Sequence, residues 1–425
     1  MEIVVFWFRR DLRLTDNKAL SAALSSGYPV LPLFIFDQNI LNDLPANDPR
    51  LNFIYDQLKA IHQKLNKHQS ALLYKMGNPL EVWNSLTKSY KIKQVFFNKD
   101  YEPYAIQRDQ ELSTLFKKNN IAVQIFKDQV IFEESEIVKD DGKPYTVFTP
   151  YKKKWLTKFD QNKLNTSGKI DFNLFLTFNA DFPELEDIGF KPSLIRVKNY
   201  DLSQIDAYEQ NRNYPWANTT SYLGAHLRFG TVSIRQIIKQ LKPNQEVFLS
   251  ELIWREFFMQ ILYHFPKNVH QNFKSKYDGI KWRNDENEFE KWKQGKTGYP
   301  LVDAGMRQLN QTGFMHNRVR MVAASFLIKH LLIDWKWGEA YFAEKLLDYE
   351  LSSNNGNWQW VAGTGCDAAP YFRIFNPMQQ LENFDKERFY VKKWIPELGQ
   401  PEYPLPMVDH PKARERALNA YKTNH

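Results

Sequence analysis

The sequence is poor in cysteine, since Cys366 is the only one among 425 residues. A single thiol excludes an internal disulfide and any metal site built from several cysteines, and it is typical of a reducing compartment. Near the N-terminus the apolar run is short, because residues 3–8 are followed by Arg9 and Arg10. Such a run cannot cross a membrane, and its charge order is wrong for a secretion signal. We therefore expect a cytoplasmic protein without a membrane partner.

Several familiar catalytic motifs are also missing. The first apolar run leads into WFRRDLRLTDN and not into a G-x-G-x-x-G fingerprint, which excludes a standard dinucleotide site. The sequence has no 20–50-residue repeat, and no metal site is expected. Residues 351–377 (LSSNNGNWQWVAGTGCDAAPYFRIFNP) combine two tryptophans, four asparagines and an arginine, without a serine elbow. This composition points to a chemistry that uses rings and amides but no nucleophile.

Aromatic residues and positive charge are what the sequence has in excess. Aromatic residues make up 15% of the chain, with 12 Trp, 21 Tyr and 31 Phe, and the net charge is +8. A basic chain favours a polyanionic partner such as nucleic acid, although many basic proteins bind none. The length is sufficient for two domains with a well-buried core.

The apolar pattern predicts an α/β domain followed by a helical one. Over residues 1–130, short apolar runs alternate with amphipathic segments, which predicts a five-stranded parallel, Rossmann-like sheet covered by helices. Residues 131–200 are rich in turn residues and are expected to be a connector. From 201 to 425 the pattern is helical almost throughout, which predicts an all-α domain. The predicted strands are 3–8, 29–36, 71–76, 94–98 and 122–126.

One predicted helix, SELIWREFFMQIL, carries polar groups on its apolar face. Glu251, Trp254 and Arg255 fall at i, i+3 and i+4, and Phe258 follows at i+7. A carboxylate and a guanidinium cost free energy in a dry core unless they are paired. Two interpretations remain open: a half-buried helix with a Glu251–Arg255 pair, or a pocket wall with a stacking plane, an acceptor and a cation.

A second predicted helix contains the segment MHNRVRM. Asn317 and Met321 share a face, whereas Arg318 and Arg320 point in different directions around the helix. An inward arginine needs an acid, and the segment LLDYELSSNN offers Asp348 and Glu350. An ordinary buried ion pair explains this pattern as well as a binding site does.

Tryptophans and hydroxyl residues supply further candidates. Trp282 and Trp335 lie in separate segments and suit either a core or a stacking and electron-relay role, which spacing alone does not distinguish. In residues 208–236, hydroxyl groups are suited to phosphate oxygens, but the same residue types cap helices in many proteins.

Taken together, six segments resemble the photolyase/cryptochrome flavoprotein family, and most closely its class I cyclobutane pyrimidine dimer photolyases. The similarity runs from residue 5 to about 415 in the family's order and spacing. It implies a monomeric enzyme that repairs UV-damaged DNA with light, using one non-covalent FAD, active as FADH⁻, in the helical domain. The segments are WFRRDLRLTDN, FTPYKKKW, SELIWREFF, KTGYPLVDAGMRQLNQTGFMHNRVRMVAASFL, DWKWGEAYFAEKLLDYELSSNNGNWQW and TGCDAAPYFRIFNP.

The resemblance also assigns a flavin pocket. Asn354 matches the asparagine that faces flavin N5, and Arg320 matches the arginine that pairs with an aspartate, here Asp348, beside the flavin ring. Phe248 stands where a tryptophan is common in this pocket. The other residues that match flavin-binding positions are Tyr208, Thr220, Ser221, Leu223, Arg255 and Glu350.

The same resemblance implies a lesion site and an electron relay. Glu251 matches the carboxyl that hydrogen-bonds the dimer, and with Asn317 and Asn354 it forms the implied catalytic set. The residues that match lesion- or DNA-binding positions are Arg212, Glu251, Trp254, Asn317, Arg318, Met321, Trp360 and Arg373. The relay used for photoreduction matches Trp358, Trp335 and Trp282, in that order outward from the flavin.

The family's N-terminal domain can hold a second, antenna chromophore. Folate-binding members carry an Asn-Glu pair where this chain has Tyr104 and Ala105. This difference argues against folate, so we expect an antenna chromophore of another kind or none.

Four alternative functions share parts of this pattern. A blue-light-sensing cryptochrome has the same fold and flavin. A photolyase for the (6-4) lesion carries a histidine pair where this chain has the lone His316, and a DASH-type cryptochrome usually lacks the indole found at Trp254. A DNA-binding module without enzymatic activity would purify without a flavin spectrum.

Overall fold

The computed structural model describes residues 1–164, 166, 168 and 170–422. Its contacts divide the chain into two compact units, each made of several stretches of sequence. The sequence pattern, by comparison, predicts contiguous domains. The first unit comprises Met1–Glu136, Leu156–Asn199 and Leu223–Lys242, and the second comprises Ile137–Trp155, Tyr200–Tyr222 and the chain from Pro243 onward.

The first unit is built on a five-stranded parallel sheet in the order β3-β2-β1-β4-β5. In the central strand, Val4 pairs with Val30 on one side and with Gln94 on the other. This doubly wound order confirms the predicted Rossmann-like α/β class. The strands are β1 (Glu2–Phe8), β2 (Val30–Asp37), β3 (Leu73–Gly77), β4 (Lys91–Asn98) and β5 (Ala122–Phe126).

Both faces of this sheet are buried at the central strands β1 and β2, whereas the edge strands β3 and β5 are partly exposed. Phe6 and Phe8 of β1 join the hydrophobic cluster on one face, whereas Val5 and Trp7 join the cluster on the other face. Because side chains of a strand alternate between faces, a strand covered on both sides has to be apolar at nearly every position. This explains the continuous apolar runs from which the strands are predicted.

Helices make up most of the remaining structure, and the second unit is helical, as predicted. Within the described residues, no helix combines the length and the apolar character that a bilayer span requires. The helices are α1 (Lys18–Leu24), α2 (Gln38–Leu41), α3 (Pro49–Asn66), α4 (Pro79–Ser89), α5 (Pro103–Lys118), α6 (Phe148–Lys158), α7 (Tyr208–Asn211), α8 (Leu223–Arg228), α9 (Ile234–Gln240), α10 (Glu246–His264), α11 (Glu286–Lys293), α12 (Pro300–Thr312), α13 (Asn317–Ser325), α14 (Trp335–Lys345), α15 (Leu351–Ala362), α16 (Pro377–Phe384), α17 (Phe389–Trp394) and α18 (His410–Lys422).

Helix α6 lies within the segment expected to be a connector. It buries Phe148, Tyr151 and Trp155, which share one face of the helix. The indole Nε1 of Trp155 donates a 2.7 Å hydrogen bond to the Glu256 carboxylate, which satisfies both buried groups. The sequence analysis missed this helix, although Phe148, Tyr151 and Trp155 fall at the i, i+3 and i+7 spacing of one helix face.

In the second unit, glycines let α10, α14 and α15 pack closely. A Cβ atom at Gly338 of α14 would lie 2.2 Å from the Trp358 ring, and one at Gly356 of α15 would lie 2.2 Å from the Phe258 ring. Each ring therefore packs directly against a neighbouring helix backbone. This close packing holds both rings in place at the site described next.

Candidate active site

A cavity of about 370 Å³, the active-site cavity, opens among helices α10, α13, α14 and α15 of the second unit. Its size falls within the range of small-molecule sites, roughly 300–1,000 Å³. The structure brings together at its wall predicted residues from five separate stretches of sequence. These residues are Arg212, Glu251, Trp254, Arg255, Asn317, Arg320, Met321, Asp348, Glu350, Asn354, Trp358 and Trp360.

The polar face of α10 forms one wall of this cavity. Glu251, Trp254, Arg255 and Phe258 all line it, as the pocket-wall interpretation predicts. Arg212 Nη1 lies 2.8 Å from Glu251 Oε1, so the two side chains form an ion pair in which each charge offsets the other. A ligand in the cavity would therefore meet a carboxylate whose negative charge is already balanced.

Arg212 and Glu251 also affect the phenol of the nearby Tyr208. The Arg212 guanidinium lies 5.3 Å from the ring centroid of Tyr208, within cation–π distance. Burial, together with the nearby Glu251 carboxylate, raises the pKa of Tyr208 to about 12. The phenol therefore stays protonated and remains a hydrogen-bond donor at neutral pH.

The Trp254 indole is held rigidly by other rings. It stacks on Phe148 with ring centroids 3.6 Å apart and an interplanar angle of 10°. Phe257 and Phe258 contact it at 5.5 and 5.3 Å. Packing on these sides leaves a fixed aromatic plane in the cavity wall, which suits the stacking of a flat ligand.

Arg320 and Asp348 form the inward ion pair that the sequence predicts. Arg320 Nη2 lies 2.9 Å from Asp348 Oδ2, and Arg320 Nε donates to the Met315 carbonyl at 2.7 Å. The other carboxylate oxygen, Asp348 Oδ1, is buried and has no hydrogen-bond partner among the described residues. Buried acceptors are almost always paired, so this atom indicates a ligand that brings an N–H or O–H donor.

Glu339 is a site residue that the sequence analysis missed. Asn354 Nδ2 donates to the Glu339 carbonyl at 3.1 Å and to its carboxyl Oε1 at 3.0 Å, which fixes the orientation of the amide. Burial raises the pKa of Glu339 to about 7, and the hydrogen bond from Asn354 opposes this shift. One sequence feature could have indicated Glu339. It lies three residues before Phe342 on the same helix, so the two share a helix face, and Phe342 lines the cavity.

Glu350, which was predicted to bind flavin, and His316, which was not a predicted site residue, both act as helix caps. The Glu350 carboxylate lines the cavity but also caps α15, accepting hydrogen bonds from the Ser352 and Ser353 backbone amides. His316 caps α13, because its Nδ1 accepts from the Arg318 amide at 3.2 Å. Burial, with Arg320 and Arg318 nearby, lowers the pKa of His316 to about 4, so this histidine is neutral at pH 7.

Arg212, Arg318 and Arg373, here called the arginine cluster, lie close enough to influence one another. Burial lowers the pKa of Arg318, and the positive charges of Arg212 and Arg373 lower it further. Arg318 Nη2 donates to Asn213 Oδ1 at 2.7 Å. Glu251 offsets the charge of Arg212, but the positive charges gathered around Arg318 still favour anions such as phosphates.

The three tryptophans predicted to form a relay belong to one packed region. Trp358 lines the active-site cavity, and with Trp335 it is buried in the hydrophobic core of the second unit. Trp335 Nε1 donates to Asn272 Oδ1 at 2.8 Å. Trp282 packs partly buried against the same core. Trp358 thus lies at the cavity and Trp282 is the most exposed of the three rings, and their role as a relay remains a prediction.

Other predicted flavin residues lie outside the described wall of the cavity. Tyr208, Thr220 and Ser221 belong to the second unit, whereas Leu223 begins α8 of the first unit. Their flavin-binding roles remain predictions, as do the roles of the residues that line the cavity. Among the described residues, no group of three or more His, Cys, Asp or Glu side chains is placed to hold a metal ion.

Two protein-family models match the chain. A model described as DNA photolyase matches residues 4–168, and one described as the FAD binding domain of DNA photolyase matches residues 248–402. A deoxyribodipyrimidine photo-lyase from Agrobacterium fabrum is 36% identical, with 98% of this chain and 97% of the relative aligned. The enzyme of the same name from Escherichia coli is 37% identical over 98% of both chains.

Solved structures show the same similarity. A bacterial class III photolyase from Agrobacterium tumefaciens superposes with a TM-score of 0.88 at 35% identity, covering 100% of this chain and 98% of that one. An archaeal photolyase from Sulfolobus tokodaii, solved with two FAD molecules, gives 0.84 at 33% identity over all of both chains. A Synechocystis cryptochrome gives 0.84 at 24% identity, covering 99% of each chain, which supports the fold alone.

Proposed function

The chain belongs to the photolyase/cryptochrome family and has its FAD-binding domain, and from that premise we propose that it is a deoxyribodipyrimidine photo-lyase that uses light to split cyclobutane pyrimidine dimers in UV-damaged DNA. The observation that carries this proposal is a shared cavity. Glu251 and Trp254 of the lesion set line the same cavity as Asp348 and Asn354 of the flavin set. A dimer and a flavin bound there would be close neighbours, as single-electron transfer requires.

The cavity residues fit a flavin. The unpartnered Asp348 Oδ1 would accept from a ring N–H, and the Arg255 guanidinium is suited to phosphate oxygens. Because Glu339 holds the amide nitrogen of Asn354, the amide oxygen is the atom left for a ligand donor. When bound and reduced, FAD would supply, on absorbing blue light, the electron that opens the cyclobutane ring, and this electron would return to the flavin once the two pyrimidines have separated.

On the lesion side, aromatic and polar groups would hold two flipped-out bases. Extruding bases costs a few kcal/mol of unstacking, and stacking on rings such as Trp254 and Trp360 offsets about 1–3 kcal/mol per base. Met321, which lines the same cavity, would fill the space between the two bases, and Asn317 and Glu251 would hydrogen-bond the pyrimidine edges. If the Glu251 carboxyl holds or shares a proton, it would donate that proton in a hydrogen bond to the dimer and so stabilise the negative charge that develops there.

The arginine cluster would bind phosphates around the extruded dimer. Arginine forms short, charge-assisted hydrogen bonds with phosphate oxygens. Such contacts orient the strand without reading its sequence, and they weaken as salt rises. This distribution of roles explains how one cavity can act on a lesion in any sequence context.

An absorbance spectrum followed by a repair assay tests the proposal. The purified protein should show a flavin spectrum. Once reduced and illuminated, it should convert the thymine dimers of a UV-irradiated oligonucleotide back into thymines. A colourless protein would contradict the flavin assignment. A flavin-containing protein that repairs nothing would favour the alternative function, a blue-light-sensing cryptochrome, which shares this fold and cofactor.

A second site in the first unit bears on the antenna chromophore. A cavity of about 220 Å³ is lined by Asn39, Tyr104 and Arg108, among others. The Tyr104 phenol donates to Asp37 Oδ2 at 2.6 Å and accepts from Asn39 Nδ2 at 3.0 Å, so its ring is fixed at this wall. The Sulfolobus tokodaii relative was solved with two FAD molecules, one implicated in light harvesting. Any antenna here is therefore expected to be a chromophore other than folate.

A further inference from the structure

Four aromatic side chains form a surface that the proposed repair chemistry does not use. This aromatic patch consists of Tyr214, Trp216, Phe384 and Phe389. Trp216 is 48% exposed and Phe389 is 64% exposed, with ring centroids 6.4 Å apart. Tyr214 lies 5.7 Å from Trp216 and 6.4 Å from Phe384, so the rings are contiguous. Large apolar side chains grouped on a surface mark an interaction site.

The patch is presented by ordered backbone. Trp216 lies in the short 3₁₀ turn Pro215–Ala217, which ends at Asn218 in the left-handed conformation with φ of 52°. Phe389 begins α17, whose first turn is fixed because the Asp385 carboxylate accepts from the Tyr390 and Val391 amides. Rings held in this way lose little conformational entropy when a partner binds.

The patch is continuous with the arginine cluster. The Arg318 guanidinium lies 4.3 Å from the ring centroid of Phe384, and its Nη2 donates to Asn213 Oδ1, one residue before Tyr214. Arg212, which precedes Asn213, lines the active-site cavity. Cations therefore connect the cavity to the exposed rings. A partner that fits this surface must carry both anionic groups and flat apolar faces.

We propose that the aromatic patch stacks unpaired bases of the damaged strand next to the extruded dimer, which gives the chain a second binding site for single-stranded DNA. The inference rests on the proposed function, since that function places the phosphates of this strand on the arginine cluster. Beyond Arg318 the same strand continues over Phe384 and towards Trp216. Bases within a duplex have their faces covered by neighbours, so only unpaired bases offer a face to these rings.

A fluorescent base reports this contact directly. We place 2-aminopurine one or two nucleotides from a thymine dimer in a single-stranded oligonucleotide and measure quenching by the holoenzyme with its flavin oxidised, which lacks the electron that repair requires. Quenching on one side of the dimer is expected, and both Trp216→Ala and Phe389→Ala should reduce it. Trp216→Tyr keeps a ring and should retain most of the effect. A second probe is placed in a duplex, on the undamaged strand opposite the dimer. If only this second probe is quenched, the patch does not bind the damaged strand and the assignment is overturned.

Measured DNA-binding affinities and their salt dependence distinguish a loss of base stacking from a loss of charge contacts. The double variant Trp216→Ala/Phe389→Ala should bind the single-stranded lesion about tenfold more weakly, the loss expected for one stacked base. The slope of log Kd against log salt should stay unchanged, because no cation is removed. Leu405→Ala, which truncates another exposed apolar side chain (88% exposed), is the matched control and should bind normally.

The remaining outcomes have distinct meanings. Unchanged Kd and quenching in a double variant that still repairs dimers would overturn the aromatic site and leave the proposed function intact. A parent protein that neither prefers nor repairs dimer-containing DNA would overturn the proposed function itself. A parent protein that self-associates in sedimentation, with Trp216→Ala restoring the monomer, would identify the patch as an interface between copies and overturn the inference.

Discussion

Among single residues, Glu251 is the side chain on which the proposed chemistry depends most directly. We expect Glu251→Ala to lower the repair quantum yield about tenfold, the equivalent of one hydrogen bond of ~1.4 kcal/mol lost from the charged dimer. Flavin content should stay the same, because Glu251 pairs with Arg212 and not with the Arg320–Asp348 pair. Single-turnover repair, with flavin absorbance measured alongside, checks both expectations.

Glu246→Ala is the matched control for this experiment. Glu246 begins the same helix, and its side chain is 65% exposed beside Lys152. This variant removes an equal charge outside the cavity and should repair normally. Equal quantum yields in Glu251→Ala and the parent would remove Glu251 from the mechanism.

Glu339 should give the protein a pH dependence of its own. Its folded pKa, about 7, lies above the ordinary value of 4.5, so the folded state holds a proton that the unfolded state has already lost. Stability contributed by this proton is complete below about pH 4.5 and is lost as pH rises through 7. Relative to the Glu339→Gln variant, the parent protein should lose on the order of 3 kcal/mol of its free energy of unfolding over this pH range.

Thermal melts of parent and Glu339→Gln protein at pH 4.5 and pH 8 test this expectation. The two should melt at similar temperatures at pH 4.5, and the variant should be more stable by several degrees at pH 8. A difference in melting temperature that is the same at both pH values would show that ionisation of Glu339 is not the cause.

Between elements, the arrangement of three tryptophans predicts how electrons reach the flavin. Replacing the outermost ring in Trp282→Phe should slow photoreduction of oxidised flavin about tenfold, which corresponds to ~1.4 kcal/mol in the limiting barrier. Repair by chemically pre-reduced enzyme should continue, because Trp282 lies outside the active-site cavity. Flash photolysis and the repair assay measure the two rates separately.

Trp337→Phe is the control for the relay. Trp337 packs partly buried against the same hydrophobic core as Trp282, so both substitutions disturb similar packing. Photoreduction in this variant should proceed at the parent rate. If Trp282→Phe also retained the parent rate, the assigned relay would be wrong.

The elements differ in how far the sequence could predict them. The strands of the first unit were predictable, because burial on both faces requires continuous apolar runs such as IVVFWF. The wall formed by α10 was predictable, because Glu251 and Arg255 on an apolar face needed partners. The roles of Trp155 and Glu339 were not, because both depend on tertiary contacts: the Trp155–Glu256 hydrogen bond and the contact of Glu339 with Asn354. The sequence analysis also missed helix α6, although its three buried aromatic residues have helical spacing.

At the scale of the whole molecule, a net charge of +8 does not specify where DNA binds. Basic residues such as Lys91 are spread over the surface and pair with nearby acids, in this case Glu2. What distinguishes the second unit is that the charges of Arg212 and Arg373 both act on Arg318, which lies beside an aromatic surface. Local clustering, more than total charge, is therefore expected to determine affinity for damaged DNA.

This expectation can be measured through the salt dependence of binding. If the three arginines each neutralise one phosphate of a duplex, Kd for a dimer-containing duplex should rise about 40-fold between 50 and 200 mM salt. Arg373→Ala should weaken binding and reduce the slope of log Kd against log salt by about one, because one fewer counterion is released. Lys91→Ala removes the same charge from an exposed position and should leave the slope unchanged. Equal slopes in the parent and Arg373→Ala would show that Arg373 contacts no phosphate, and equal reductions in both variants would show that total charge sets the affinity.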